Sequence, residues 1–394
     1  MQKKKTRILL GITGGVAAYK SADLARLFIK NDIEVQVVMT ESATQFVSPT
    51  TLQALTGRRV HTDMWDESID NGMPHIELSR ACDLIVIAPA TANFMTKVTS
   101  GQADDLLSTL CLARDCPLAI APAMNRQMWE NAATQRNLKQ LRSDGVTIIG
   151  PDSGDQACGE VGEGRMSEPN FIFDEVVALL QPKLLAGKKV VITAGPTYEP
   201  IDAVRGITNS SSGKMGYAVA QAAREAGADV TIISGKTSLA TPTGTKKVPV
   251  ITAREMYDAV MHHVSDADIF ISVAAVADFR VKNPDANKIK KTKSGLALEF
   301  EENPDILGTV AKMNPTPFCV GFAAESQDLE NYAKEKRVER GIPLIAANLV
   351  QNALGSDENE ILLIDESGSH QIPKSSKINQ ARELIKHIAK LTEK

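Results

Sequence analysis

Five features in the first half of this 394-residue chain hold side chains able to do chemistry. Gly11-Ile12-Thr13-Gly14-Gly15 follows a short apolar run. Glycines there let the backbone approach a phosphate and leave helix N–H groups free to bind it. Alone, the segment fits a ligand-free strand-to-helix turn as well. It is not the GxGxxG dinucleotide fingerprint, which disfavours a nicotinamide cofactor. Pro89-Ala90-Thr91-Ala92-Asn93 and Pro122-Ala123-Met124-Asn125 each end an apolar run. Open α/β sheets place their ligands beyond such strand ends. Asn125 stands between Met124 and Met128-Trp129, so its amide either projects from apolar surroundings or caps the following helix. Cys158 sits among Gly154, Gly159, Gly162 and Gly164 with Arg165 nearby, a setting suited to proton delivery. The other cysteines, Cys82, Cys111, Cys116 and Cys319, lie in or beside apolar runs and read as packing residues. Histidine is the side chain that titrates near neutrality, so His75 is a candidate acid or base. Its spacing fits a buried, hydrogen-bonded imidazole equally well.

In the second half, Gly195-Pro196-Thr197 follows another apolar run and leads through Asp202 and Arg205 to Asn209-Ser210-Ser211-Ser212-Gly213-Lys214-Met215-Gly216. Glycine, hydroxyls and a lysine ahead of a helix suit anion binding, or simply a capped turn. The stretch is not a phosphate-binding P-loop, because Met215 stands where the Mg²⁺-binding hydroxyl belongs. Lys288-Ile289-Lys290-Lys291 lies in a polar, lysine-rich loop over residues 282–295. A charge run of this kind is a solvated face or the rim of a site that closes over a ligand.

Alternating strands and helices must position these residues. Apolar runs at 8–10, 34–39, 84–88, 118–121 and 146–149 predict strands, with helical periodicity over 17–30. Continuous rather than alternating runs suit strands buried on both faces of a parallel sheet, hence a doubly wound α/β layer. A break at 181–187 precedes a second cycle: strands at 189–194, 229–233 and 268–273, helices at 216–226 and 253–263. The expected domains are residues 1–187 and 188–394.

The bulk composition narrows the class. Hydrophobic residues make up 43% and charged residues 23% of the chain, enough for a real core. A net charge of −4 argues against a nucleic-acid-binding surface, which is basic. No apolar run reaches the ~20 residues of a membrane-spanning helix, and a strand expected from residue 8 leaves no room for a signal peptide. Five cysteines without paired metal spacing suit reduced thiols in a cytoplasm.

Taken together and in this order, Gly14-Gly15, Pro-Ala-Thr-Ala-Asn, Pro-Ala-Met-Asn-Arg-Gln-Met-Trp and Ala157-Cys158-Gly159-Glu160 resemble flavin-dependent cysteine decarboxylases. The second half carries Ala274-Ala275-Val276-Ala277-Asp278, Asn303-Pro304-Asp305-Ile306 and Gly321-Phe322-Ala323-Ala324-Glu325. With these, essentially the whole chain resembles the bacterial bifunctional phosphopantothenoylcysteine decarboxylase/phosphopantothenate–cysteine ligases of coenzyme A biosynthesis. The resemblance implies an α/β fold of two doubly wound domains, an N-terminal flavodoxin-like flavoprotein and a C-terminal Rossmann-like ligase. It implies CTP-dependent joining of L-cysteine to 4'-phosphopantothenate through an acyl-cytidylate, with Mg²⁺. FMN-dependent decarboxylation to 4'-phosphopantetheine then follows.

Residue by residue, the resemblance makes His75 the active-site histidine, Asn125 the contact to the substrate carboxylate and Cys158 the proton donor. FMN contacts are implied at Gly14, Gly15, Val16, Thr40, Pro89, Ala90, Thr91 and Asn93. Lys288 is implied in acyl-cytidylate formation and Asn209 in the later step. CTP contacts are implied at Ala274, Ala275, Asp278, Lys288, Asn303, Pro304, Asp305, Ile306, Phe322, Lys336 and Arg340. Arg340 stands where the family often has a second lysine, and the two differ in geometry. No residues are assigned to Mg²⁺. The family also implies a homo-oligomer, with trimeric decarboxylase and dimeric ligase contacts that together build a dodecamer. Two rivals are a nicotinamide-dependent oxidoreductase and a flavin-binding regulatory subunit without turnover; the second has no need of a proton donor.

Cys158→Ser is expected to stall decarboxylation after flavin reduction while ligation stays near wild type. Flavin absorbance followed through a single turnover checks this, and undiminished CO₂ release would remove Cys158 from the mechanism.

Overall fold

The first apolar runs become parallel strands because neither of their faces meets water. In the computed structural model, which describes residues 5–65, 73–157, 159–290, 296–325, 328–349 and 358–393, these are β1 (Arg7–Ile12), β2 (Glu34–Met39), β3 (Leu84–Ala90), β4 (Leu118–Pro122) and β5 (Thr147–Ile148). They pair in the order β2-β1-β3-β4-β5, all parallel. This is the flavodoxin-like order, with its switch point between β1 and β3. Side chains alternate across the sheet: Ile8, Leu10 and Ile12 enter one core with Val86 and Ala88, while Leu9, Ile85 and Ile87 enter the opposite one. The run expected as one helix over 17–30 is split into a 3₁₀ turn, Val16–Tyr19, and an α-helix, Lys20–Lys30.

A two-stranded antiparallel hairpin, β6 (Asp152–Asp155) and β7 (Val161–Arg165), follows the sheet. Its glycine-rich, largely polar strands carry no apolar period that sequence reading could detect.

The second unit begins again with β8 (Lys189–Ala194), then an antiparallel pair, β9 (Tyr198–Pro200) and β10 (Gly206–Thr208). Next come β11 (Asp229–Ser234), β12 (Lys246–Pro249) and β13 (Ile269–Ser272), then the small pair β14 (Phe279–Val281) and β15 (Phe300–Glu302). The last strands are β16 (Phe318–Glu325), β17 (Leu344–Leu349), β18 (Glu358–Asp365) and β19 (Gly368–Ser376). The main sheet runs β12-β11-β8-β13-β16-β17-β18-β19. Its first six strands are parallel and the last two antiparallel. The parallel part has the Rossmann order, which reverses between β8 and β13. Ile192 and Ile271 pack on one face, Val191 and Phe270 on the other. The β18–β19 hairpin and the closing helix Lys377–Thr392 extend the architecture beyond the strands read from sequence.

The chain divides into compact units at Met1–Leu180 and Gln181–Lys394, whereas the sequence break places residues 181–187 in the first domain. That segment belongs to the second unit. Leu185 is fully buried in the second core, its N–H donates to Ala226 O at 2.8 Å, and Lys183 Nζ donates to Glu225 O at 2.8 Å. Among the described residues, no helix is long and apolar enough to cross a membrane. Burial pushes the Cys111 and Cys319 thiols up to about 12, the behaviour of packing residues.

Phe270→Ala, at a site with 0% exposure, is expected to cost ~3–5 kcal/mol through lost burial and a residual cavity. A lowered urea midpoint for the second unit checks this; an unchanged midpoint contradicts the packing described.

Candidate active sites

The first site gathers where β1, β3 and β4 end. Thr13, just past β1 and 1% exposed, donates its hydroxyl to Pro89 O at 2.9 Å and accepts from Thr91 N–H at 3.0 Å. Ala123 N–H donates to Ala90 O at 2.9 Å. These bonds join the three strand exits into one rim. Thr91 caps the helix Ala92–Ser100 by accepting from Phe94 N–H at 3.2 Å. Asn125 caps Arg126–Glu130 by accepting from Met128 N–H at 3.0 Å.

Inside the rim is a cavity of about 680 Å³, within the size range of cofactor sites. Of the expected flavin contacts, Gly14, Gly15, Val16 and Thr91 line it, as does Asn125. So Asn125 both caps its helix and faces the cavity, and the two readings of it are compatible. A Cβ on Gly14 would lie 2.4 Å from Ser42 Cβ; only glycine lets the backbone pass there. Backbone at Gly14 and Gly15, with Val16, Met124, Met128 and Met166 as apolar wall, is a surface that fits a planar aromatic ring system bearing a phosphate.

Other expected contacts lie elsewhere. Pro89 and Ala90 support the rim through their carbonyls, and Ala90 is fully buried. Thr40 accepts from Ala43 N–H at 3.3 Å, capping the turn Glu41–Gln45. Asn93 is exposed on its helix. None of the four lines the cavity. His75 is half-buried on the helix Pro74–Arg80, also off the cavity wall, and its Nδ1 has no hydrogen-bond partner among the described residues. Cys158 lies outside the described residues; its neighbour Ala157 lines the cavity.

The β6–β7 hairpin is clamped onto the Asn125 loop. Met124 N–H donates to Gly164 O at 2.9 Å, Arg126 N–H to Gln156 Oε1 at 3.0 Å and Trp129 Nε1 to Glu163 Oε2 at 3.0 Å. Gly164 has φ +124°, and a Cβ there would stand 2.5 Å from Met124 O, so this clamp also needs glycine. Lys20, missed by sequence reading, lines the same cavity at 7% exposure. Its ammonium donates to Glu168 Oε1 at 2.8 Å and Met166 O at 3.2 Å. The Lys20 contact, ahead of Arg165, holds the Glu168 carboxyl below its ordinary range. The only hint in the sequence is a lysine opening an otherwise apolar helical face.

The second site lies beyond the ends of β13 and β16, where a cavity of about 510 Å³ opens. Ala274, Asp278, Asn303, Pro304, Asp305, Ile306, Phe322, Lys336 and Arg340, nine of the residues expected to contact nucleotide, all line it. Asn303 is fixed by donating Nδ2 to Ala277 O at 2.9 Å and N–H to Asp278 O at 2.8 Å. Asp305 caps Ile306–Ala311 by accepting from Gly308 N–H at 3.1 Å and meets Arg340 Nη1 at 2.7 Å. The Arg340 charge is thus partly engaged by Asp305. Lys336, one turn earlier on Leu329–Arg340, has no ion-pair partner among the described residues.

Ala275 and Lys288 are not on the wall. Ala275 O accepts from Thr197 N–H at 3.2 Å and from Asn209 Nδ2 at 2.9 Å, and its N–H donates to Gly195 O at 3.0 Å. It ties the Gly195 turn and Asn209 to the exit of β13. Lys288 is exposed, but the next residue is anchored: Ile289 N–H donates to Asp202 Oδ2 at 3.1 Å, and Arg205 Nη2 donates to Ile289 O at 2.9 Å. The Arg205 guanidinium beside it, with N–H bonds from Val204, Arg205 and Ile289, holds the Asp202 carboxyl far below the usual carboxylate range. A depressed carboxyl stabilises fully above its unfolded pKa and loses that contribution progressively as pH falls from there through the folded value. The Asp202 anchor of the Lys288 segment is therefore fully in place at neutral pH and weakens on acidification.

The family described as Flavoprotein matches residues 1–181, and the family described as DNA/pantothenate metabolism flavoprotein C-terminal domain matches residues 185–391. The coenzyme A biosynthesis bifunctional protein CoaBC of Vibrio vulnificus (strain YJ016) is 48% identical over 98% of this chain and 98% of its own. The protein of that name in Escherichia coli (strain K12) is 46% identical over 93% and 92%. The one in Bacillus subtilis (strain 168) is 42% identical over 98% and 97%.

Gly164→Ala is expected to push the β6–β7 hairpin off the Asn125 loop and lower decarboxylation on the order of 100-fold, leaving ligation intact. Parallel assays of both half-reactions check this; equal losses in both would mean a general folding defect instead.

Proposed function

We propose that this chain, which belongs to the family of bifunctional coenzyme A biosynthesis proteins, uses its two cavities for consecutive steps. It is an enzyme made of a flavoprotein decarboxylase unit and a ligase unit. In our reading ligation comes first: the carboxylate of 4'-phosphopantothenate attacks the α-phosphate of CTP, pyrophosphate leaves, and the amine of L-cysteine displaces CMP from the acyl-cytidylate. What supports a nucleotide in the second unit is the cavity wall itself, where Lys336 and Arg340 offer charge for a triphosphate and Asn303 fixed donors and acceptors. Lys288, carried on a segment anchored by Asp202 and Arg205, neutralises charge as pyrophosphate departs. Asn209, held beside Ala275, acts on the acyl-cytidylate. Asp278 and Glu302 on the wall are hard oxygen donors of the kind Mg²⁺ takes.

In the first unit, the flavin, FMN in this reading, supplies when bound the electron sink that oxidises the thiol-bearing carbon, so that carboxylate loss no longer leaves an unstabilised carbanion. Asn125 orients the departing carboxylate from the cavity wall. Met124, Met128 and Met166 give the reacting carbon an apolar side of the cavity. Cys158, next to the wall residue Ala157, returns the final proton. His75 lies off the wall of its own chain's cavity. In a trimer with flavin at the subunit boundary, it serves the cavity of a neighbouring copy. The reading includes a homo-oligomer, a dodecamer if trimeric and dimeric contacts coexist. It also places the enzyme in the cytoplasm, in keeping with the unbridged Cys82, Cys111, Cys116 and Cys319.

The single observation that carries the ligase half is the convergence of residues from four segments, 272–279, 302–307, Phe322 of β16 and 336–340, on one cavity. The test supplies 4'-phosphopantothenate, cysteine, CTP and Mg²⁺ and identifies products by mass. Phosphopantetheine and CO₂ are expected from the wild type. Lys288→Gln is expected to lose CTP-dependent pyrophosphate release yet stay yellow; persistent release would remove that lysine from the chemistry.

A further inference from the structure

Three side chains of the second unit converge at a place that neither activity uses. Asp365 ends β18, His370 lies near the start of β19, and His387 is on the helix Lys377–Thr392. Their ligating atoms all lie within 4.8 Å of one another. Nε2 of His387 is 2.8 Å from Asp365 Oδ2, and Nε2 of His370 is 3.2 Å from the same oxygen. Because β18 runs antiparallel to β17, with Ile364 opposite Ile345, this group lies beside the start of β17. The nucleotide cavity is at the other end of the sheet, beyond the ends of β13 and β16.

From this arrangement we infer that Asp365, His370 and His387 form a structural site for a divalent transition-metal ion, zinc by preference, joining the β18–β19 hairpin to the C-terminal helix. Imidazole nitrogen and carboxylate oxygen are donors zinc takes at about 2.0–2.2 Å. A tetrahedral ion with such bonds holds its donors about 3.3–3.5 Å apart. The His370 separation from Oδ2 is already close to that spacing, and the His387 separation reaches it with a small side-chain rotation. The carboxylate is prearranged as well. Oδ1 accepts from Ser367 N–H at 2.7 Å, Ser367 Oγ at 2.6 Å and Gly368 N–H at 3.2 Å. These bonds fix Oδ1, which His370 Nε2 also approaches at 3.3 Å while meeting Ser367 Oγ at 3.1 Å, and Oδ2 faces both imidazoles, so the carboxylate is held as outer hydrogen bonds hold ligands around bound metals. The Asp365 side chain is 3% exposed and that of His370 41%, so the site is anchored inside the unit and reached from solvent past His370. That open side leaves the fourth position to water.

The test uses the full-length, flavin-loaded protein, stripped with a chelator and dialysed against Zn²⁺ alone. The wild type is expected to bind one more equivalent per chain than His370→Gln or His387→Gln, whose affinity for that equivalent falls more than ~100-fold. Zn²⁺ is expected to raise the unfolding temperature of the wild type by a few degrees, through binding the folded state only, and to leave both variants unmoved. Co²⁺ in place of Zn²⁺ is expected to give tetrahedral absorption in the wild type alone. Both half-reactions should run at wild-type rates in the variants, since neither residue touches a cavity, and this shows that the variants are folded. If His387→Gln is unstable, the half-exposed His370→Gln decides the matter alone. Equal zinc stoichiometry and affinity in wild type and variants would overturn the site, whatever the outcome for ligation and decarboxylation.

Discussion

In each unit a buried threonine hydroxyl ties together the two strand exits at the point where the sheet reverses direction. Thr13 links the exits of β1 and β3 through Pro89 O and Thr91 N–H. Thr193, 0% exposed in β8, accepts from Val273 and Ala274 N–H, both at 3.2 Å, at the exit of β13. At a switch point the loops after neighbouring strands turn to opposite sides, which opens the crevice where ligands bind. The same divergence strands backbone donors and acceptors that the ladder no longer pairs, and buried groups of this kind must find partners. A threonine supplies a donor and acceptors on a short, stiff side chain, so it closes the gap without filling the crevice. Both candidate sites rest on this solution.

Around that shared constraint the two cavities differ as their chemistries require. The first has an apolar side of Val16, Met124, Met128 and Met166, with Lys20, Asp155 and Arg165 also on its wall and the Lys20 ammonium paired with Glu168. The second presents the carboxylates Asp278 and Glu302 together with the cations Lys336 and Arg340, a wall dominated by charge of both signs. Its anchors are polar as well, down to the buried Asp202 carboxylate that holds the Lys288 segment through Ile289.

Much of the site was legible from residue order, and the exceptions have a common cause. Thr91, Asn125, Asn303 and Phe322, which their motifs single out, line the two cavities. Pro89, Ala90 and Ala275 belong to the same motifs but contribute main-chain bonds from behind the wall. A motif marks a stretch of backbone near a ligand; it does not say which side chains of that stretch face the ligand. Lys20 and Gln156 escaped notice because each acts on a partner far along the chain, Glu168 and Arg126.

The sequence by itself determined the layer architecture and pointed to the strand ends at which both cavities open. Continuous apolar runs alternating with helical patterns suit parallel strands covered on both faces, and turn residues at their ends mark the crevice. Tertiary structure alone decided the strand orders, the transfer of residues 181–187 to the second unit, the clamping of the β6–β7 hairpin onto the Asn125 loop and the meeting of Asp365, His370 and His387. These depend on hydrogen bonds and packing between segments distant in the chain. Local pattern carries no record of such contacts, because it reports only which face of each element is apolar.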